Sequence, residues 1–376
     1  MNVVIFNPVP IKKLSFARSV GSDFSSTLKH RVSEYFKSNQ ISRYGNGRMV
    51  FKTIFMLLLF FAPLAVIIFG SLSNVALLFG LFILSGFGMA GIGMGIMHDA
   101  IHGSYSKSTF VNKIMGYTIN LIGANNEVWR LQHNVLHHSF TNIEGHDDDI
   151  SAPFFLRFSP HAEKNKLHRF QHLYAWVFYG LTSLSWVTSK DFFCLTRYYK
   201  IGLVKDKRAY WSGLVKIVLW KLVYYSYALI LPLVMSGFGV GVILLAFLAM
   251  HFVTGLIISL VFQSAHVVSD ASFPLPNEQG NMEDERLAHQ LATTCNFSPN
   301  SKIFSWLVGG LTNQIEHHLF PHISHVHYKK IAPIVEQTCR EFGLPYYKNG
   351  NFLSAIAKHF KMLYLLGQME LQPVKK

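Results

Sequence analysis

Four stretches of this chain are too long and too apolar for a water-soluble fold. They cover residues 53–70 ("TIFMLLLFFAPLAVIIFG"), 75–97, about 217–235 and about 240–262. Each approaches the roughly 20 apolar residues that a spanning helix needs. Inside lipid a backbone must satisfy its own hydrogen bonds, so these stretches are expected to be helices. Only 14% of residues are charged, against about a quarter in a soluble domain. "SLS" and "SGFG" join the first two and the last two stretches, and connections this short force two tight hairpins. Pro63 and Pro232 are expected to kink their helices, which a bundle tolerates.

Neither short connection holds a charge, whereas residues 1–52 carry nine Lys/Arg against two acids and the long segment 98–216 is also basic. The positive-inside rule puts both on the cytosolic side. An even number of spans returns residues 263–376 to that side. Lys216 and Lys221 fit as snorkelling residues at the start of the third span. The expectation is an all-α, multi-pass membrane protein with four transmembrane helices in two hairpins and a cytosolic helical cap. Residues 1–52 form a cytosolic N-terminal segment without signal-peptide character, with an amphipathic helix near 26–37. Residues 53–262 hold the spans and the insert, and 263–376 the C-terminal region.

The formal charge is +14. No basic run is interleaved with aromatics, so nucleic acid is not an expected partner; anionic membrane lipid or an acidic protein is. Cys194, Cys295 and Cys339 are scattered and read as free thiols. "GFGMAG" (86–91) matches GxGxxG, but it lies in an uncharged helix without the strand a dinucleotide site requires. Gly86, Gly88, Gly91, Gly93 and Gly95 are expected to let neighbouring helices approach.

The 19 histidines are unevenly spread. His98 and His102 form "HDAIH"; His133, His137 and His138 form "HNVLHH"; His317 and His318 close "QIEHH"; His266 follows the fourth span in "QSAH". The topology above brings all four places to one membrane face. Residues i and i+4 are neighbours on a helix, so each HxxxH pair presents two imidazoles together. One zinc takes four ligands; eight histidines suffice for two metal centres. Imidazole suits Zn, Cu, Fe and Ni, so the count does not name the metal. Asp99, Asn134 and Glu316 inside the boxes, and "HDDD" (146–149), are candidates to orient the rings. His251 is expected to be packed within its span. His161, His168, His172, His289, His325, His327 and His359 are expected at the surface or interface, with His322 as the spare ligand.

With these boxes and four spans, the chain resembles a membrane fatty acid desaturase over roughly residues 50–345. Gln314 stands where most of that family begins the third box with His, and "QIEHHLFP" (314–321) is similar to the front-end desaturases. Those place a cis double bond between an existing one and the carboxyl end of an acyl chain. The resemblance implies a non-haem centre of two iron ions, O2 as co-substrate, and His98, His102, His133, His137, His138, His266, His317 and His318 as ligands. Gln314 would be a ninth ligand or lie just behind the metals. It also implies an acyl-CoA or phospholipid acyl chain as substrate. No HPGG haem motif of a fused cytochrome b5 occurs here, so electrons are expected from a separate cytochrome b5 or ferredoxin with its reductase. A second departure is Gln263, where part of the family uses an Asn to hold water on the metal.

The aromatic segment 168–199 reads either as a helix pair guiding the acyl chain or as an interfacial anchor. A helix over 328–342, stopped by Gly343 and Pro345, is expected to cap the metal region. The nearest rival is a hydroxylase or oxygenase of acyl, sphingolipid or carotenoid substrates on the same plan. A metal transporter would instead place its ligands near the bilayer midplane.

Overall fold

The computed structural model describes residues 14–17 and 23–369; the remainder of the N-terminal segment and of the C-terminal region lies outside the described residues. The described residues are mostly helical, with irregular segments over 141–165 and 267–285 and a two-residue parallel pairing of Asn296–Phe297 with Lys348–Asn349. Four helices are long and apolar enough to cross a membrane: Gly47–Phe69, Val75–Ile101, Lys207–Met235 and Val240–His266. The first and third begin earlier than the sequence suggests. Their opening residues are polar and invisible to a hydropathy criterion, yet Asn46 and Asp206 cap them, accepting hydrogen bonds from Arg48 and Ala209. Pro63 lies inside the first helix and Pro232 near the end of the third.

The second helix packs between the first and the fourth, and the fourth also packs along the helix over 171–200. Two glycines make these approaches possible. A Cβ at Gly88 would lie 2.5 Å from the Phe60 backbone nitrogen, and one at Gly86 2.7 Å from the Met250 carbonyl oxygen. Ser85 donates to the Phe60 carbonyl at 3.0 Å and Thr254 to the Gly86 carbonyl at 3.0 Å, the polar ties expected where lipid removes the hydrophobic drive between helices. Gly93 and Gly95 do not serve this purpose. Added methyls there would meet their nearest neighbours at ordinary or near-ordinary contact, 3.7 and 3.4 Å.

Helix Phe24–Ser38, close to the expected 26–37, buries Phe24, Leu28 and Val32 and packs on Tyr328–Glu341. The C-terminal helix Phe352–Gln368 packs on the fourth apolar helix and on 171–200. Residues 171–200 form one continuous helix, not a pair, with a π-helical turn at Trp186–Lys190. The three cysteines are free.

Candidate metal centre

The first two histidine boxes sit where a helix departs from regular α geometry, while the third lies on the short α-helix Gln314–Leu319. A π-helical stretch, Ile92–Met97, runs directly into His98, and another, Leu131–His137, carries the second box. Wider π turns are rare and recur at functional sites. In the second box the backbone N–H of His138 reaches the carbonyl of His133, which sets residues five apart above one another. His133 and His138 thus come to 3.2 Å, Nε2 to Nε2. His137 stacks its ring on His133 at 5.3 Å between centroids. All three imidazoles of "HNVLHH" face one space, which an α-helix would not allow.

The eight expected histidines converge. His98, His102, His133 and His317 form one group, His137, His266 and His318 a second, and His138 joins His317 and His318 between them. Within each group the nitrogens lie within 4.8 Å of one another. His98 Nε2 is 3.2 Å from His133 Nε2, and His138 Nε2 is 2.9 Å from His317 Nε2. Burial holds the His133 imidazole down at about 3. Burial and then neighbouring imidazoles hold His102, His138, His317 and His318 well below the ordinary value. These rings are neutral at pH 7, and each keeps one lone pair.

Their outer nitrogens decide where those lone pairs point. His137 Nδ1 lies 3.0 Å from both oxygens of Asp147 and must donate. His318 Nδ1 donates to Gln290 Oε1 at 2.7 Å, and His266 Nδ1 to the Thr293 carbonyl at 3.3 Å. In the neutral ring Nε2 of all three is therefore a lone pair, buried and without a hydrogen-bond partner. Burial lowers His137, but the Asp147 carboxylate outweighs it and raises the ring above the ordinary value, so a proton competes with a cation there. Three converging lone pairs repel one another and forgo their hydrogen bonds. A cation removes both penalties, and a ring tied from behind to carboxylate or carbonyl is the arrangement seen around bound metals. The donor set fits imidazole-binding transition metals.

The orienting residues are only partly those the boxes suggest. In "HDDD", Asp147 holds His137, Asp149 lies 3.6 Å from His133 Nδ1 and also binds Gln132, and Asp148 turns away to Arg197 and Tyr198. His146 sits 3.3 Å from the Glu144 carbonyl, outside the cluster. Asp99 is 3.9 Å from His98 Nδ1, too long for a hydrogen bond, and instead accepts from Ser324 at 2.7 Å and the His325 backbone at 3.1 Å. Asn134 donates to the Ile101 carbonyl, and Glu316 accepts from Asn296 and Tyr346; neither orients a box histidine, because each points away from the rings along its helix. Gln290, Thr293 and Tyr328, whose hydroxyl lies 3.2 Å from His317 Nδ1, carry no signal in the sequence. They lie on segments that only folding brings to the boxes.

Other histidines depart from expectation. His168, His289, His325, His327 and His359 are buried, because each has a backbone or side-chain partner inside the protein. His161 and His172 are half-buried. His322 is exposed and joins none of the metal-type groups, since the chain turns at Pro321 after the helix Gln314–Leu319 and carries it outward. His251 is packed as expected, between Ser183 at 3.0 Å and Tyr224 at 2.8 Å.

A mostly apolar cavity of about 370 Å3 reaches His98, His133 and His317. Its walls include Met94, Met97, Trp129, Phe155, Phe178, Trp186 and Phe262, and both Gln314 and Gln263 line it. Gln314 is buried beside His317; the buried Oε1 of Gln263 has no partner. Of the two readings of segment 168–199, its place in this wall favours contact with the cavity's occupant.

Residues 72–350 match the fatty acid desaturase family model. An acyl-lipid (8-3)-desaturase of Physcomitrium patens is 39% identical over 95% of this chain and 74% of its own length. Two sn-1 linoleoyl-lipid 6-desaturases are also similar. That of Arthrospira platensis is 34% identical over 93% of this chain and 94% of its own length; that of Synechocystis is 31% identical over 95% and 98%. With its boxes, apolar helices and these relatives, the chain belongs to the fatty acid desaturase family, as an oxidoreductase of its front-end type.

Proposed function

We propose that this protein is an O2-dependent desaturase that places a cis double bond in an already unsaturated, membrane-held acyl-lipid chain, on the carboxyl side of the existing bond. The observation that carries this reading is the set of imidazoles turned inward by Asp147, Gln290 and Thr293, beside a second histidine group that an apolar cavity reaches at His98, His133 and His317. His98, His102, His133 and His317 would hold one iron ion and His137, His266 and His318 the other, with His138 between them. Two iron ions would supply the oxidising strength that side chains lack for removing hydrogen from two adjacent methylenes; with O2, two delivered electrons and two protons, the two hydrogens removed leave in two waters. The protein's part is to lay the acyl chain past the histidines and keep water out. Trp129, packed 4.4 Å from the His133 ring, and Phe262 do the latter.

The names of the relatives, acyl-lipid and linoleoyl-lipid desaturases, support a lipid-bound chain over acyl-CoA. The four apolar helices cross the bilayer as two hairpins, with the histidines and both termini on the cytosolic side. There a basic surface suits an acidic donor, a cytochrome b5 or a ferredoxin. Gln314 and Gln263 act beside the metals, not as ligands, because an amide oxygen is a weaker donor than imidazole.

Expression in a host fed linoleate, with double-bond positions assigned by mass spectrometry, tests the reading. A new cis bond on the carboxyl side is expected. His137→Ala should remain membrane-bound while losing iron and product. Retained product in His137→Ala, or full turnover with zinc alone, would overturn the metal assignment, and a hydroxylated product would overturn desaturation.

A further inference from the structure

The cavity has two chemically different ends. The helix over 171–200 lines it from Phe178 to Lys190, about 18 Å at the α-helical rise. At the Phe178 end the walls are aromatic, with Phe155 stacked on Phe178 at 4.1 Å. At the other end Lys190 closes a π-helical turn, its ammonium 5.1 Å from the centre of the Trp186 ring. Among the described residues Lys190 is the sole lysine or arginine lining the cavity.

It makes no direct ion pair among the described residues, although Asp148 and Asp149 line the same cavity and its charge, working against burial, lowers Asp149 and Asp191. Three aspartates lie close by, and each is committed elsewhere: Asp191 to Lys221 at 2.8 Å, Asp148 to Arg197 and Tyr198, Asp149 to Gln132 and His133. An amphiphile fits such a site, with a tail for the apolar walls and a polar head for the cation. The cationic end is also the metal end. Asp149, which Lys190 reaches electrostatically, is the carboxylate beside His133.

We propose that Lys190 binds the polar end of the substrate, the ester and phosphate of a membrane glycerolipid, and so sets which methylenes lie at the metals. This rests on the desaturase reading above. Anchoring the head beside the histidines makes the protein count from the carboxyl end, and the Phe178 end takes whatever tail remains. Entry is from the bilayer, because the mouth at Ser151, Pro153, Leu181 and Ser185 is exposed and bordered by the exposed apolar side chains of Phe154 and Val177. A soluble carrier such as acyl-CoA bears the same phosphate chemistry, so the test separates the two.

Membranes carrying wild type, Lys190→Gln or Lys190→Arg are supplied with vesicles of linoleoyl phosphatidylcholine or with linoleoyl-CoA, at matched protein and iron content. In Lys190→Gln the KM for the lipid should rise about tenfold, the size of one lost charge-assisted hydrogen bond. The single product isomer should spread to neighbouring positions, with a smaller effect on kcat. Lys190→Arg should restore both. Lys190→Met, which keeps the aliphatic stem over Trp186, replaces Lys190→Gln should that variant accumulate poorly. A charge-free variant as regiospecific as wild type, with unchanged KM, overturns the anchor while leaving the desaturase reading intact. The same defect confined to linoleoyl-CoA overturns the lipid source. Absence of any new double bond with wild type overturns both readings.

Discussion

Asp147 acts on the metal centre through one imidazole. Its carboxylate takes the Nδ1 proton of His137 and leaves Nε2 as a lone pair aimed at His266 and His318. Asp147→Asn keeps the volume but removes the charge, and its amide can present an N–H that drives the ring to the wrong tautomer. Loss of such a partner costs roughly 10–100-fold in metal affinity or activity. Iron content of the purified variant, measured beside its activity, should fall by that order while the protein stays folded. Glu316 directly precedes His317 and His318 yet binds Asn296, Asn313 and Tyr346. Proximity in sequence does not tell these two carboxylates apart, because the difference lies in the direction each side chain leaves its helix.

At the scale of elements, glycine contacts and π turns place the histidines. The second apolar helix can lie against the first only because Gly88 has no side chain: a methyl there meets backbone, which cannot rotate away. Gly88→Ala should therefore destabilise the protein by about 1–3 kcal/mol, the usual cost of overpacking, read as a lower melting temperature in detergent. Gly93→Ala, which meets only side-chain ends at 3.7 Å or beyond, should leave that temperature nearly unchanged. The π turn over Leu131–His137 is the second device. The i, i+4 spacing of the box pairs His133 with His137, but the turn brings His138 to His133 as well. Nothing in "LQHNVLH" announces the extra residue per turn, since it follows from fitting three rings into one space with His98 and His317.

For the molecule as a whole, the C-terminal helix ties the fourth apolar helix to the cavity wall through one buried histidine. His359 Nδ1 donates to the Val267 carbonyl at 2.7 Å, and Nε2 takes the Tyr179 hydroxyl at 2.7 Å. Burial lowers His359 from 6.5 to about 4. Between those values the unfolded chain binds the extra proton, so stability present above pH 6.5 is lost as pH falls towards 4, on the order of 3 kcal/mol. Hydrogen exchange across Phe352–Gln368, corrected for intrinsic rates, should accelerate over that window. Unchanged protection at pH 4.5 would count against this role for His359.

The local patterns were enough to read the helical class, the four apolar stretches and the three boxes. An apolar run of spanning length and an HxxxH repeat are properties of neighbouring residues, and neither depends on what packs against them. Four of the imidazoles, His98, His102, His133 and His137, could be named from the sequence for that reason, while His138, His266, His317 and His318 needed the family resemblance beside it. Their grouping, the ties from Gln290, Thr293 and Tyr328, the outward turn of His322 and the burial of His289, His325 and His359 were decided by tertiary structure alone. Each joins segments far apart in the chain, and a polar side chain is buried or exposed according to whether folding brings it a partner. Lys190 is the sharpest case. In sequence it is one cation in an aromatic segment, and only the tertiary structure sets it in the cavity wall, beside Asp148 and Asp149 but without a direct ion pair to either.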